Sequence, residues 1–170
     1  GKRALDFLIE NSGTRTNLEV DFFGGEPLMN WQVVKDLVKY ARSIEKEKNK
    51  NFRFTLTTNG MLIDDDVIDF ANREMSNVVL SLDGRKEIHD RFRVDYAGNG
   101  SFDRIVPKFQ KLVDAGFNKI VALHEGAPAL ADKSQVTDTY TDIWAESEIA
   151  EEHAMELLAL CEKYNVTYFV

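Results

Sequence analysis

Four short apolar runs in this chain each close on a turn that carries glycine, and helical spacing follows most of them. Residues 18–23 end at Gly24 and Gly25, residues 52–57 run into Asn59 and Gly60, and residues 77–82 run into Asp83 and Gly84. Residues 119–123 lead to His124, Glu125 and Gly126, and a fifth run lies at about 166–170. Strands separated by single helices must re-enter the sheet from the same end, so this order predicts parallel βαβ units. The runs are nearly continuous in apolar residues, as expected for a sheet covered by helices. The expected fold class is α/β, wound βα, with residues 1–170 as a single domain.

The intervening repeats are helical. Ala4, Leu5, Leu8 and Ile9 share one face until Asn11, Ser12 and Gly13 interrupt it. Asn30 is the expected cap of a helix carrying Val33, Val34, Leu37, Val38, Ala41 and Ile44, ended by the basic, polar stretch 45–51. Asp64 is expected to cap the next, with Asp65 and Asp66 set against the helix dipole and Val67, Ile68, Ala71 and Met75 buried. Ser101 or Asp103 should start a helix bearing Ile105, Phe109, Leu112 and Val113, with Pro107 in its first turn or at a kink and Gly116 at its end. A polar stretch at about 125–147 follows, then a helical pattern around Cys161. A βα series ordinarily opens with a strand. Here a helix comes first, which predicts an empty sheet position, either filled by another segment or lost with preceding sequence.

Composition narrows the function. The sequence of 170 residues is 44% hydrophobic and 11% aromatic, enough for a full core. A formal net charge of −8 argues against nucleic acid, which requires a basic face. No apolar run approaches the length of a membrane span. A cytoplasmic protein with a small-molecule or peptide partner is expected. The one cysteine, Cys161, shares its helical pattern with Ile149, Ala154, Leu157, Leu158 and Tyr164 and reads as a small core hydrophobe. His89, His124 and His153 lie far apart and show no metal-ligand spacing. Glu146, Glu148, Glu151, Glu152 and Glu156 read as the wet face of a helix.

Parallel α/β folds bind ligands outside the carboxyl ends of their strands, so the four turns are expected to form one rim. Each turn alone is also ordinary βα-turn chemistry. The turn of Gly24, Gly25, Glu26 and Pro27 fits neither the phosphate loop nor the dinucleotide fingerprint. Two glycines expose backbone amides and carbonyls, and the adjacent carboxylate adds negative charge, a combination suited to a ligand ammonium. Glu26 is equally suited to the first turn of a helix.

This rim resembles that of radical S-adenosylmethionine (SAM) enzymes. Asp21 through Met29, reading DFFGGEPLM, is similar to their second-strand motif; Thr58, Asn59 and Gly60 resemble the end of the third strand. Ser81, Leu82, Asp83 and Gly84, followed by His89, Asp90, Arg91, Phe92 and Arg93, resemble the fourth strand and loop of the peptide- and protein-modifying, SPASM-type branch. Within it the chain looks most like maturases that install thioether cross-links in six-cysteine (SCIFF) peptides, with anaerobic sulfatase-maturing enzymes a close second. The resemblance is clear over about 1–116 and weak over 117–170. It implies a partial parallel (β/α) barrel whose first strand and cluster loop are missing.

The resemblance also implies roles. Gly24, Gly25 and Glu26 would bind the methionine amino group of SAM, and Ser81 its carboxylate or ribose. Arg93 would take the carboxylate bidentately or be a solvated loop arginine. Thr58 and Asn59 would line the pocket. Asp83, the candidate catalytic residue, would hydrogen-bond substrate, relay a proton or stabilise its own turn.

The family holds its [4Fe–4S] cluster with thiolates in a C-x3-C-x2-C segment after the first strand. No cysteine precedes Gly24 here, and Cys161 cannot replace three. The chain is thus expected to be the SAM-binding part of a parent that generates a 5′-deoxyadenosyl radical, takes hydrogen from a cysteine-containing peptide and draws electrons from a donor. By itself it is expected to be inactive. The alternative is a cluster-free relative that binds a nucleotide or peptide. A third reading, a hydrolase pairing Glu26 with Asp83, rests on fold analogy.

Overall fold

The computed structural model describes residues 1–83 and 85–117 and, beyond them, the backbone of strands at 120–123 and 167–169. One unit comprises Gly1–Thr58 and Leu62–Val79; the other comprises Asn59–Met61 and the chain from Leu80 onward.

The first unit runs α1 (Lys2–Asn11), β1 (Asn17–Phe22), a short 3-10 helix (Pro27–Asn30), α2 (Trp31–Lys48), β2 (Asn51–Thr58), α3 (Asp65–Glu74) and most of β3 (Asn77–Ser81), with strand order β1-β2-β3. β1 and β2 are parallel, with Leu18 opposite Phe52 and Val20 opposite Phe54. Alternation along β2 sends Phe52, Phe54 and Leu56 to one face, and all three are buried. Their rings stack in series: Phe52 on Phe54 and Phe54 on Phe22, each pair 5.9 Å between centroids. Val34, Val38 and Ala41 of α2 and Val67, Ile68 and Ala71 of α3 complete this core. Each large side chain so buried contributes roughly 1.5–3 kcal/mol.

Arg42 on α2 fastens this layer. Its guanidinium donates to Glu45 at 2.6 Å, Glu74 at 3.0 Å and the Phe52 carbonyl at 2.9 Å, and it lies over the Phe54 ring. One cation thus joins α2, β2 and the end of α3.

Several local expectations hold, and others shift. Asp64 caps α3 by accepting from the Val67 N–H at 2.9 Å. Asn30 sits at the start of α2 but makes no side-chain cap, because the chain is already helical from Pro27. The side-chain cap comes earlier, from Glu26, and serves the 3-10 helix. The 45–51 stretch does not stop α2 at once. The helix continues to Lys48 and ends at Asn49, whose φ of 51° is the left-handed cap conformation.

The second unit takes the end of β3, then α4 (Lys86–Phe92), α5 (Phe102–Asp114), β4 (Ile120–Leu123) and β5 (Thr167–Phe169), in the order β3-β4-β5. β4 and β5 are parallel. The parallel α/β class is therefore as the sequence implied. The residues that resemble a loop after the fourth strand are mostly a helix, α4, too short to show a repeat. Ser101 precedes α5 without capping it; the cap comes from Asp90 on α4, which accepts from the Phe102 N–H at 2.8 Å. Pro107 lies inside α5 and not in its first turn. Gly116 ends the helix with φ 88°, and the Phe117 N–H reaches back to the Leu112 carbonyl, so the two buried side chains close the helix end. The 124–126 turn, the 125–147 stretch and the Cys161 helix lie outside the described residues. Among the described residues no helix is long and apolar enough to cross a membrane.

Candidate cofactor-binding turns

In the first unit the turn after β1 is built on backbone conformation. Gly24 and Gly25 have φ of 90° and 58°, two left-handed residues in succession that L side chains rarely adopt. Among the described residues, a Cβ built on either would meet no other atom within 4 Å. Glycine is needed here for its torsion, and no described residue fills the space beside it. Glu26 fixes the far side of the turn. Its carboxylate accepts from the Leu28 N–H at 3.0 Å and from the Thr58 hydroxyl at 2.8 Å. Thr58, at the end of β2, is 1% exposed. The carboxylate therefore caps the 3-10 helix and ties the turn to the neighbouring strand. Its first partners are its own fold. One residue earlier on β2, the Thr57 hydroxyl donates to Asp21 at 3.3 Å.

In the second unit the turn after β2 belongs to the packing of α5. The Asn59 side chain accepts from the Met61 N–H at 2.9 Å, and Lys108 donates to the Met61 carbonyl. Gly60 has φ 78°, and a Cβ there would strike the Phe109 ring.

The end of β3 is held by side chains. Asp83 is 3% exposed and receives both Nε and Nη2 of Arg93, at 2.6 and 3.2 Å. Arg93 is thus no solvated loop arginine; it forms a bidentate pair with a buried carboxylate. His89 on α4 is fully buried. Its Nδ1 accepts from the Asp83 N–H at 3.2 Å, and its Nε2 lies 2.9 Å from the Ser101 hydroxyl. That hydroxyl donates in turn to the Arg93 carbonyl at 2.9 Å. Burial pushes the His89 imidazole below its usual range, against the Asp83 carboxylate, which favours protonation. Ser81 is 8% exposed, and its hydroxyl has no hydrogen-bond partner among the described residues.

Each site residue named from the sequence is at a strand end or in the turn after one, except Arg93, which follows α4. Gly24, Gly25, Glu26 and Thr58 come together in the first unit, and Ser81, Asp83 and Arg93 in the second. Asn59 accepts from the Met61 N–H in the turn after β2. The reading from sequence missed His89 and Ser101. The only signal for the histidine was its place in the 89–93 motif; its burial had none. Glu26 is engaged by Leu28 and Thr58, and Asp83 by Arg93.

A parallel α/β chain with a doubly left-handed glycine turn and an acidic anchor after one strand, and a buried acid–arginine pair after another, is of the kind that holds a small charged cofactor at its strand ends. The chain belongs to the Radical SAM superfamily, whose pattern matches residues 8–128. A cysteine-type anaerobic sulfatase-maturating enzyme of Clostridium novyi is 33% identical over 97 residues, 56% of this chain and 26% of that protein. A radical SAM cyclopropyl synthase of Paramaledivibacter caminithermalis is 28% identical over 72 residues, 42% of this chain and 15% of that protein. The solved structure of native anSMEcpe with bound AdoMet and Cp18Cys peptide superposes with a TM-score of 0.62 at 25% identity, over 73% of this chain and 35% of that one. The chain spans well under half the length of these relatives.

The family works with SAM and a [4Fe–4S] cluster. The twin-glycine turn fits the ammonium of SAM, because it presents peptide groups with no side chain beside them. The buried Ser81 hydroxyl fits a carboxylate or ribose hydroxyl, since a buried donor without a partner is costly. The cluster finds no such fit: among the described residues no three or more His, Cys, Asp or Glu are grouped to hold a metal. Cys161, the sole cysteine of the sequence, lies outside them.

Proposed function

We propose that this chain is the SAM-binding part of a radical SAM peptide maturase that forms thioether cross-links in a cysteine-containing peptide. The observation that carries the reading is the turn of Gly24, Gly25 and Glu26, locked to Leu28 and Thr58 and open on its glycine side. Bound SAM would supply, on reductive cleavage, the 5′-deoxyadenosyl radical that takes hydrogen from the peptide. Peptide carbonyls of Gly24 and Gly25 receive its ammonium, while the Glu26 carboxylate keeps the turn in place and adds negative charge. Ser81 binds the carboxylate or ribose, and Arg93 contributes charge to the carboxylate while remaining paired with Asp83. Asp83 acts first through Arg93; the chain's own chemistry is to bind and orient. The peptide partner is supported by the bound cysteine peptide of anSMEcpe. An electron donor and a cytoplasmic setting belong to the same reading.

The test is anaerobic reconstitution of the full-length protein with iron and sulfide, followed by SAM, reductant and a cysteine-rich peptide. The reading expects 5′-deoxyadenosine together with loss of a pair of hydrogens from the peptide. SAM binding without either product would favour a second reading, a cluster-free binder of nucleotide or peptide.

A further inference from the structure

The hydrogen bonds around His89 close on themselves. The Asp83 N–H donates to His89 Nδ1, and the Ser101 hydroxyl, whose proton is directed to the Arg93 carbonyl, can meet His89 Nε2 only as an acceptor. The ring is therefore neutral and carries its proton on Nε2. Arg93 completes the circuit by donating its Nε–H to the Asp83 carboxylate. The four residues come from the end of β3, from α4, from the segment after it and from the start of α5. Each covers a donor or acceptor that would otherwise be buried without a partner.

We propose that His89 is a positioning residue: as a neutral, Nε2-protonated imidazole it sets the pose in which Asp83 and Arg93 are presented at the end of β3. The ring reaches the backbone of one partner and, through Ser101, the backbone of the other, so it fixes both ends of the segment that the ion pair spans. Phe102 packs edge-on against the ring at 5.8 Å and holds it in plane. This inference rests on the reading that Arg93 serves SAM, but the circuit itself is measurable without any ligand.

Protonating His89 would put an N–H on Nδ1, facing the Asp83 N–H. The charges around the ring oppose one another: Asp83 and Asp90 favour that protonation, whereas Arg93 and Lys86 resist it, and Asp103 of α5 is held by Lys86. Burial decides the balance toward the neutral ring. The pose is therefore expected to persist at neutral pH and to loosen as the pH falls below the usual histidine range.

The experiment is nitrogen-15 NMR of the His89 ring and of the Arg93 Nε–H in the full-length protein without SAM, paired with calorimetric titration of SAM. Wild type, His89→Phe and Ser101→Ala are compared; Ser101→Ala removes one oxygen and keeps the packing should the first variant fail to fold. The expected results are the Nε2–H tautomer in wild type, loss of the protected Arg93 Nε–H signal in either variant, and SAM binding weaker by about tenfold, the effect of one well-formed hydrogen bond. An Nδ1–H tautomer, or an Arg93 signal unchanged in both variants, would overturn the positioning role even if SAM binds normally. A signal lost as expected in a protein whose wild type binds no SAM would leave the positioning role standing and sink the proposed function.

Discussion

The turn after β1 and the segment after β3 solve the same problem by different means. Both must hold a strand end in one shape. After β1 the shape is written in torsion: two successive glycines at φ 90° and 58°, with a single carboxylate, Glu26, pinning the exit. After β3 it is held by Asp83, His89, Arg93 and Ser101, distributed over some twenty residues of sequence and joined only by folding. The first device is local and leaves open space beside it. The second is buried and has little tolerance for a missing member.

That contrast sets the order of expected damage. Arg93→Ala leaves the Asp83 carboxylate buried without its cation and should cost about 3 kcal/mol or more, read by urea denaturation. Gly24→Ala and Gly25→Ala should each cost roughly 1–2 kcal/mol through left-handed torsion and nothing through clash. They should nonetheless remove most SAM affinity if the turn holds the ammonium. A glycine variant that binds SAM as wild type does would show the turn to be a structural feature only. Thr58→Val keeps shape but removes one donor from Glu26, with an expected loss of about 1 kcal/mol and a smaller drop in affinity.

The smallest effect is a pH dependence. Burial alone would raise the Asp90 carboxyl, but the Lys86 ammonium and the Phe102 N–H bring it below the usual carboxylate range. A folded-state value below the unfolded one means that the unfolded chain binds more protons in that window, so stability rises with pH there. Asp90 therefore contributes stability above the usual carboxylate range and loses it as the pH falls through its own lowered value. Asp90→Asn should flatten that acid limb while leaving the neutral-pH cap largely intact, as a series of melts from pH 3 to 7 would report.

The same contrast explains what the sequence could reveal. The doubled glycine and its following acid are contiguous, and torsional demand of that sort is visible in residue type alone. The parallel order was visible for a similar reason: apolar runs and helical repeats are local patterns that the sheet simply collects. Asp64 was legible as a cap because it stands next to the helix it serves. Glu26 was legible only as an acid at a helix start, since the 3-10 turn it caps has no repeat, and Asp90 was not legible at all, since it caps a helix other than its own. His89 was passed over as a scattered histidine because its two partners lie six and twelve positions away. The helix that carries it, α4, is too short to register as periodic. Pro107 is compatible by residue type with a first turn or a kink, and only the structure shows it beyond the first turn of α5.

The central claim, that the turn of Gly24, Gly25 and Glu26 holds the ammonium of SAM, is tested most directly by calorimetric titration of SAM and of its des-amino analogue into the full-length protein. The account predicts that wild type binds SAM and discriminates strongly against the analogue, and that Gly25→Ala abolishes the discrimination along with most of the affinity. Equal binding of the two ligands by wild type would contradict it.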